Sequence, residues 1–159
     1  GHAPEHMALY SADSGVLISG DMVLPRISTN VSVYPREPEA DALALFLMSL
    51  EKFRALPAGT LVLPSHGKPF TGLHTRLGQL HAHHMTRLEE LRSACRAAPC
   101  SAFDVLPILF RRTLDFHQTT FAMGEAVAHL HWLWFARQAQ RTLDAHGVYR
   151  FTTLADAPA

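Results

Sequence analysis

Residues 1–24 read GHAPEHMALYSADSGVLISGDMVL and contain two short apolar runs on either side of a turn. The first run is residues 7–10 and the second is residues 16–19. Residues 11–15, SADSG, supply the turn, because Asp and Ser close local turns and Gly accepts a positive φ. The pattern predicts a β-hairpin whose second strand ends at Gly20 and Asp21.

One helix and a third strand follow this hairpin, after a long loop over residues 22–35. Apolar residues recur every three or four positions after Pro38, which predicts a helix with one buried stripe: Leu43, Phe46, Leu47, Leu50 and Phe53. Residues 61–70 read LVLPSHGKPF, a buried-type strand followed by a loop. Residues 1–71 are therefore expected to form an α/β (α+β) domain with too few strands to bury both faces of a sheet.

Residues 72–159 have a more helical character. A long helical seam is predicted by Leu73, Leu77, Leu80, His84, Leu88, Leu91 and Cys95. Ser101 and Asp104 have capping-box spacing and predict a short helix through Arg112. Thr120 is expected to cap a further helix, and residues 148–151 form a short terminal strand. We treat residues 72–159 as a second domain, similar in element order to a winged-helix module.

Composition limits the classes of partner. Lys plus Arg and Asp plus Glu each number 14, so no large basic field attracts nucleic acid or an anionic membrane. No apolar run approaches the roughly 18 residues that a membrane span needs. Two cysteines are too few for a disulfide framework, and a cytoplasmic location is expected. The unusual feature is the content of 11 histidines.

Three loop fragments each contain a residue that can bind a metal ion. They are His2 in GHAPEH, Asp21 in SGD and His66 in PSHG. Imidazole nitrogens and carboxylate oxygens bind zinc at about 2.0–2.2 Å, and a carboxylate can bridge two ions. Taken singly, each fragment is more often a turn than a ligand site.

Taken in order, these fragments resemble motifs of the metallo-β-lactamase superfamily. Residues 1–24 resemble its third and fourth motifs with the hairpin between them, and residues 61–70 resemble its last motif. Residues 82–94 and 125–133 resemble helices of the winged-helix tail in the branch related to glyoxalase II and lactonases. The resemblance implies the C-terminal half of an αββα sandwich, followed by a winged-helix-like helical tail.

The same resemblance assigns roles to individual residues. His2 would be the third histidine of the first metal site, Asp21 would bridge both metals as the catalytic carboxylate, and His66 would belong to the second site. His6 lies in a Gly-His-x-x-Asp-His-Met-like pattern, with Glu5 in place of the Asp, and is expected to support the site without binding metal. Two zinc ions are implied, and iron or manganese would suit the same ligands.

The implied activity is hydrolysis, by metal-bound hydroxide, of a small-molecule ester, thioester, lactone or phosphodiester. The family signature HxHxDH has no match in the chain. We therefore expect the chain alone to be inactive and to need a missing N-terminal segment or a second copy. The alternatives are a nucleic-acid-binding or RNA-processing module, which the balanced charge disfavours, and an accessory half that works with a separate N-terminal chain.

The remaining histidines are expected to have structural roles. His81, His83 and His84 lie inside a predicted helix, where residues three apart share a face but adjacent residues do not. His84 lies on the apolar seam and is predicted to be packed or hydrogen-bonded. His129 and His131 flank Leu130 and are interpreted as polar core or surface positions. His117 and His146 lie in predicted turns, and we assign no function to either.

Overall fold

The structure is a computed structural model that describes residue 3 and residues 5–155. The elements of this part of the chain are, in order, β1 (Leu9–Ser11), β2 (Val16–Gly20), α1 (Ala42–Lys52), a 3-10 turn (Phe53–Ala55), β3 (Leu61–Pro64), α2 (Leu73–Ala97), α3 (Leu106–Leu109), α4 (Phe116–Phe135), β4 (Ala139–Leu143) and β5 (Tyr149–Thr153). None of the helices described is both long and apolar enough to cross a membrane. The mixed α/β class predicted from the sequence is confirmed.

The first sheet has the strand order β1-β2-β3. Strands β1 and β2 form the predicted antiparallel hairpin, with Leu9 opposite Ile18, and β3 pairs with β2 in parallel. Alternate side chains along the strands point to opposite faces. Leu17 and Val62 are buried on one face, while Leu9 and Ile18 remain 62% and 49% exposed on the other.

The predicted helical stripe is confirmed in α2 and in part in α1. Leu43, Phe46 and Leu50 of α1 are almost completely buried, whereas Leu47 is half-buried and Phe53 lies in the 3-10 turn after the helix. The seven seam positions of α2, from Leu73 to Cys95, are all buried as well. In both helices the apolar spacing of three and four residues specifies which side is covered.

Two helix boundaries differ from the sequence expectation. Ser101 and Asp104 exchange the predicted hydrogen bonds, but these close the turn at residues 102–105 and do not cap α3. Helix α3 begins only at Leu106, after Val105 and without a side-chain cap, and it ends at Leu109 because the backbone is extended at Phe110. Helix α4 begins at Phe116, not at Thr120, because Asp115 forms a complete capping box with Gln118.

The predicted terminal strand is confirmed as β5, but its partner β4 was not predicted. The two strands pair antiparallel through the turn at residues 144–147. Arg137, with φ of 56°, separates α4 from β4. Residues 73–153 thus run helix, helix, helix and β-hairpin.

The chain divides into two compact units, residues 1–31 with 44–83 and residues 32–43 with 84–159. The candidate site lies wholly in the first unit.

Candidate metal site and adjoining cavity

The candidate site lies where β2 and β3 end. Because the two strands are parallel, their carboxyl ends meet at one edge of the sheet. Asp21 directly follows β2, and Ser65 and His66 directly follow β3. The Ser65 N–H donates to the Gly20 carbonyl over 3.1 Å and joins the two loops.

Asp21 and His66 lie side by side at this edge. His66 Nε2 is 3.5 Å from Asp21 Oδ1, and the Ser65 hydroxyl donates to the same oxygen. Two donor atoms that bind one ion at 2.0–2.2 Å are at most about 4.4 Å apart, so this separation and donor chemistry fit a shared metal ion. Within residues 3 and 5–155 no third His, Cys, Asp or Glu completes a cluster of metal ligands.

The N-terminal motif contains two further predicted site residues, His2 and His6. His2 lies outside the described residues. His6 Nε2 donates to the Ser19 carbonyl at 3.0 Å, and its ring lies against Gly20. Gly20 has a φ of 53°, and a Cβ built on it would lie 2.5 Å from His6 Cε1. The His6 ring therefore contacts the backbone just before Asp21.

The segment that follows Asp21 is held from two directions. The Ser19 hydroxyl donates to the Val23 carbonyl over 3.0 Å. From α2, Arg76 Nε donates to the Leu24 carbonyl over 2.6 Å, and Nη2 donates to the Ile27 carbonyl over 2.9 Å. Partial burial lowers the pKa of Arg76 from its ordinary value, but a guanidinium stays charged in proteins. Sequence analysis missed Arg76, since no local motif marks it.

A surface cavity of about 460 Å³ adjoins this segment. Its lining includes Pro25, Arg26 and Ile27 from the loop after Asp21, and His66, Lys68 and Phe70 from the loop after β3. The two loops touch at Gly67, whose φ is 89° and where a Cβ would lie 2.7 Å from Pro25 Cγ. Glycine is therefore required next to His66.

The second unit contains five histidines, which lie in α2, in α4 and in the turn before β5. His84 and His129 are fully buried, with His84 Nδ1 3.2 Å from His129 Nε2. His129 Nδ1 donates to the Glu125 carbonyl over 2.9 Å, so its Nε2 accepts from His84. The packed, hydrogen-bonded role predicted for His84 is confirmed. His117 lies in α4 and packs edge-on against Phe121, so the predicted turn at this position was wrong.

Comparison with known proteins gives one domain match and several longer relatives. Residues 88–154 match the family described as metallo-beta-lactamase-like, C-terminal domain. The protein named probable metallo-hydrolase YqjP, from Bacillus subtilis strain 168, is 28% identical over 133 residues. That alignment covers 82% of this chain and 41% of YqjP.

Two solved structures are similar over nearly the whole chain. A β-lactamase domain protein from Burkholderia ambifaria is 59% identical with a TM-score of 0.94, covering 97% of this chain and 46% of that one. A metallo-β-lactamase family protein from Thermus thermophilus is 32% identical with a TM-score of 0.83, covering 97% and 47%. The chain therefore spans less than half the length of each of these relatives. In sequence and structure the chain is therefore similar to part of proteins of the metallo-β-lactamase superfamily.

Proposed function

We propose that this chain is part of a metal-dependent hydrolase of metallo-β-lactamase type and that His2, Asp21 and His66 bind its metal centre. The observation that carries the proposal is the 3.5 Å separation between His66 Nε2 and Asp21 Oδ1 at the shared end of β2 and β3. The relatives named as metallo-hydrolase and metallo-β-lactamase family proteins support the same activity.

The residues of this chain would orient the ligands. The Ser65 hydroxyl donates to Asp21 Oδ1 and restricts the rotation of that carboxylate. A neutral His66 offers the Nε2 lone pair on the same side. When bound, two divalent ions of zinc, iron or manganese supply Lewis acidity and lower the pKa of water. The substrate would be an ester, thioester, lactone or phosphodiester.

The rest of the site would come from outside this chain. HxHxDH is absent from the 159 residues, and a catalytic dinuclear centre needs more ligands than His2, Asp21 and His66 supply. One face of the sheet is apolar and exposed at Leu9 and Ile18. Such faces mark contact surfaces, and we propose that an N-terminal segment of the longer protein covers it. The competing occupant is a second copy, which sedimentation at micromolar concentration would reveal as a dimer.

The finer family assignment is also a proposal. The element order helix, helix, helix and hairpin over residues 73–153 supports a winged-helix-like tail. A tail of this kind supports assignment of the chain to the branch related to glyoxalase II and lactonases. In that branch the tail would shape the substrate entrance.

Zinc binding by the purified chain tests the proposal. Metal content is measured without added metal, and zinc is then titrated calorimetrically into the metal-free chain. We expect Asp21→Asn and His66→Ala each to weaken zinc binding by about tenfold or more. His146→Ala, which changes an exposed turn histidine, is the matched control and should bind zinc like the original chain. Equal zinc affinity in all four proteins would overturn the assignment.

A further inference from the structure

We infer that the cavity beside His66 is a substrate subsite that binds an anionic group through Arg26 and Lys68 and an apolar body through Ile27 and Phe70. The inference deepens the proposed function. Only the statement that the ligand is a substrate rests on that proposed function. It narrows the substrate class to molecules that carry a carboxylate or phosphate next to an apolar portion.

The charge of the cavity is the first argument. Arg26 and Lys68 come from two separate loops and bring two positive charges to one cavity, although the chain as a whole is neutral. No acidic side chain is among the described residues that line it. Among the residues that the structure describes, neither Arg26 nor Lys68 forms an ion pair. Asp21, which precedes this lining, already accepts the Ser65 hydroxyl and lies beside His66.

The apolar part of the lining is the second argument. Ile27 is 63% exposed, which leaves a branched apolar side chain in contact with solvent beside a cation. Pro25, Pro69 and Phe70 add further apolar surface to the same cavity. Small-molecule sites combine a mostly apolar lining with a few placed polar groups, and about 460 Å³ is within their usual range of volumes.

The cavity is also formed before a ligand binds. Arg76 holds the Leu24 and Ile27 carbonyls, so the backbone on either side of Arg26 is fixed. Gly67 packs directly on Pro25 and fixes the second loop against the first. A binding site with little backbone freedom loses less entropy when a ligand enters it.

The cations suit anionic oxygens in two ways. Arg26 can donate a planar pair of N–H groups to a carboxylate or phosphate, and Lys68 adds a compact positive charge. Because His66 lines the same cavity, a ligand anchored there would have its remaining portion beside His66 and Asp21.

A titration followed by NMR tests the subsite in the metal-free, ¹⁵N-labelled chain with EDTA present. The probes are 4-phenylbutyrate, phenyl phosphate and the neutral 4-phenylbutan-1-ol. We expect the anionic probes to shift the amide signals of Arg26, Ile27, Gly67 and Lys68 and to bind about fivefold tighter than the alcohol. The stronger of the two anions shows whether carboxylate or phosphate is preferred.

Charge-removing variants complete the test. Arg26→Gln and Lys68→Gln should each weaken 4-phenylbutyrate binding about threefold, whereas Arg111→Gln, which removes an exposed cation far along the sequence, should leave it unchanged. The inference is overturned if the alcohol binds as tightly as the anions or if both variants bind like the original chain. Because metal is absent, this result is independent of the zinc titration that tests the proposed function.

Discussion

His66 Nε2 lies 3.5 Å from Asp21 Oδ1, and the two residues follow the neighbouring parallel strands β3 and β2. The His66 side chain is 71% exposed, and even a fully charged pair at such an exposed position contributes little to stability. We therefore expect His66→Ala to change the free energy of unfolding by less than about 1 kcal/mol, even though it weakens zinc binding. Urea denaturation measures this, and a loss of several kcal/mol would mean that His66 supports the fold.

Arg76 should contribute more to stability than its surface position suggests. Its guanidinium donates to the Leu24 and Ile27 carbonyls, and a lysine ammonium cannot keep that forked geometry. We expect Arg76→Lys to lower the free energy of unfolding by about 1–2 kcal/mol. Amide hydrogen exchange should also become faster in residues 22–28.

Arg111→Lys is the control for Arg76, because its side chain is 78% exposed and pairs with Glu90 at 3.4 Å. That change should have no measurable effect on unfolding. If Arg76→Lys matches it in both stability and exchange, Arg76 does not hold the loop beside Asp21.

Gly20 combines a left-handed backbone with a close neighbour, and the two effects can be separated. At Gly15 φ is 64° and nothing lies within 4 Å of an added Cβ, whereas at Gly20 φ is 53° and His6 is 2.5 Å away. Gly15→Ala should cost about 1 kcal/mol from backbone strain alone, and Gly20→Ala should cost more because of the contact.

His6→Ala removes the neighbour and completes this comparison. In that background the cost of Gly20→Ala, measured by urea denaturation, should fall to that of Gly15→Ala. An unchanged cost would show that His6 does not confine residue 20.

Sequence periodicity predicted the helices and most strands because burial depends on spacing that can be read locally. The seam from Leu73 to Cys95 is the clearest case. Capping was harder to predict. Thr120 has the right residue type for a cap, but Asp115 lies earlier and satisfies the N-terminal amides of α4 first. The Thr120 hydroxyl donates instead to the His117 carbonyl within the helix.

This boundary gives a direct prediction. Asp115→Ala should lower the free energy of unfolding by about 1 kcal/mol, because it removes the acceptor for the Gln118 N–H. Thr120→Ala should cost much less, since alanine suits a helix interior. Thermal denaturation of both variants decides which residue caps α4, and a larger loss for Thr120→Ala would contradict the structure.

The candidate site was only partly predictable. Asp21 and His66 each follow a strand beside a glycine, and this local pattern together with the family resemblance predicted both as metal ligands. The role of Arg76 and the position of Arg26 and Lys68 in one cavity depend on contacts between distant segments. Nothing in the neighbouring residues of the sequence reports such contacts, so only the folded chain reveals them.

His131 should make stability depend on pH in the second unit. Its Nδ1 donates to the Ala40 carbonyl over 3.1 Å, so the neutral ring accepts from Arg141 Nη1 at Nε2, 3.3 Å away. Burial lowers the pKa of His131 below 6.5, and the Arg141 charge acts in the same direction. The Ala40 carbonyl and the carboxylates of Glu39 and Asp41 oppose them. Protonation would set an N–H against the N–H of Arg141 within the core.

The sign of the pH effect follows from that lowered pKa. Between the folded-state pKa and 6.5 the unfolded chain binds more protons at this residue, so stability rises with pH there. The contribution of His131 is complete above about pH 6.5 and is lost as the pH falls below it. His131→Gln keeps a donor for Ala40 and an acceptor for Arg141 without a titrating group. Urea denaturation from pH 7.5 to 5 should show a smaller loss of stability in this variant. The control variant His146→Gln changes an exposed turn residue and should retain the original pH dependence. If His131→Gln and the original chain gave identical pH profiles, the loss of stability at low pH would be due to other groups.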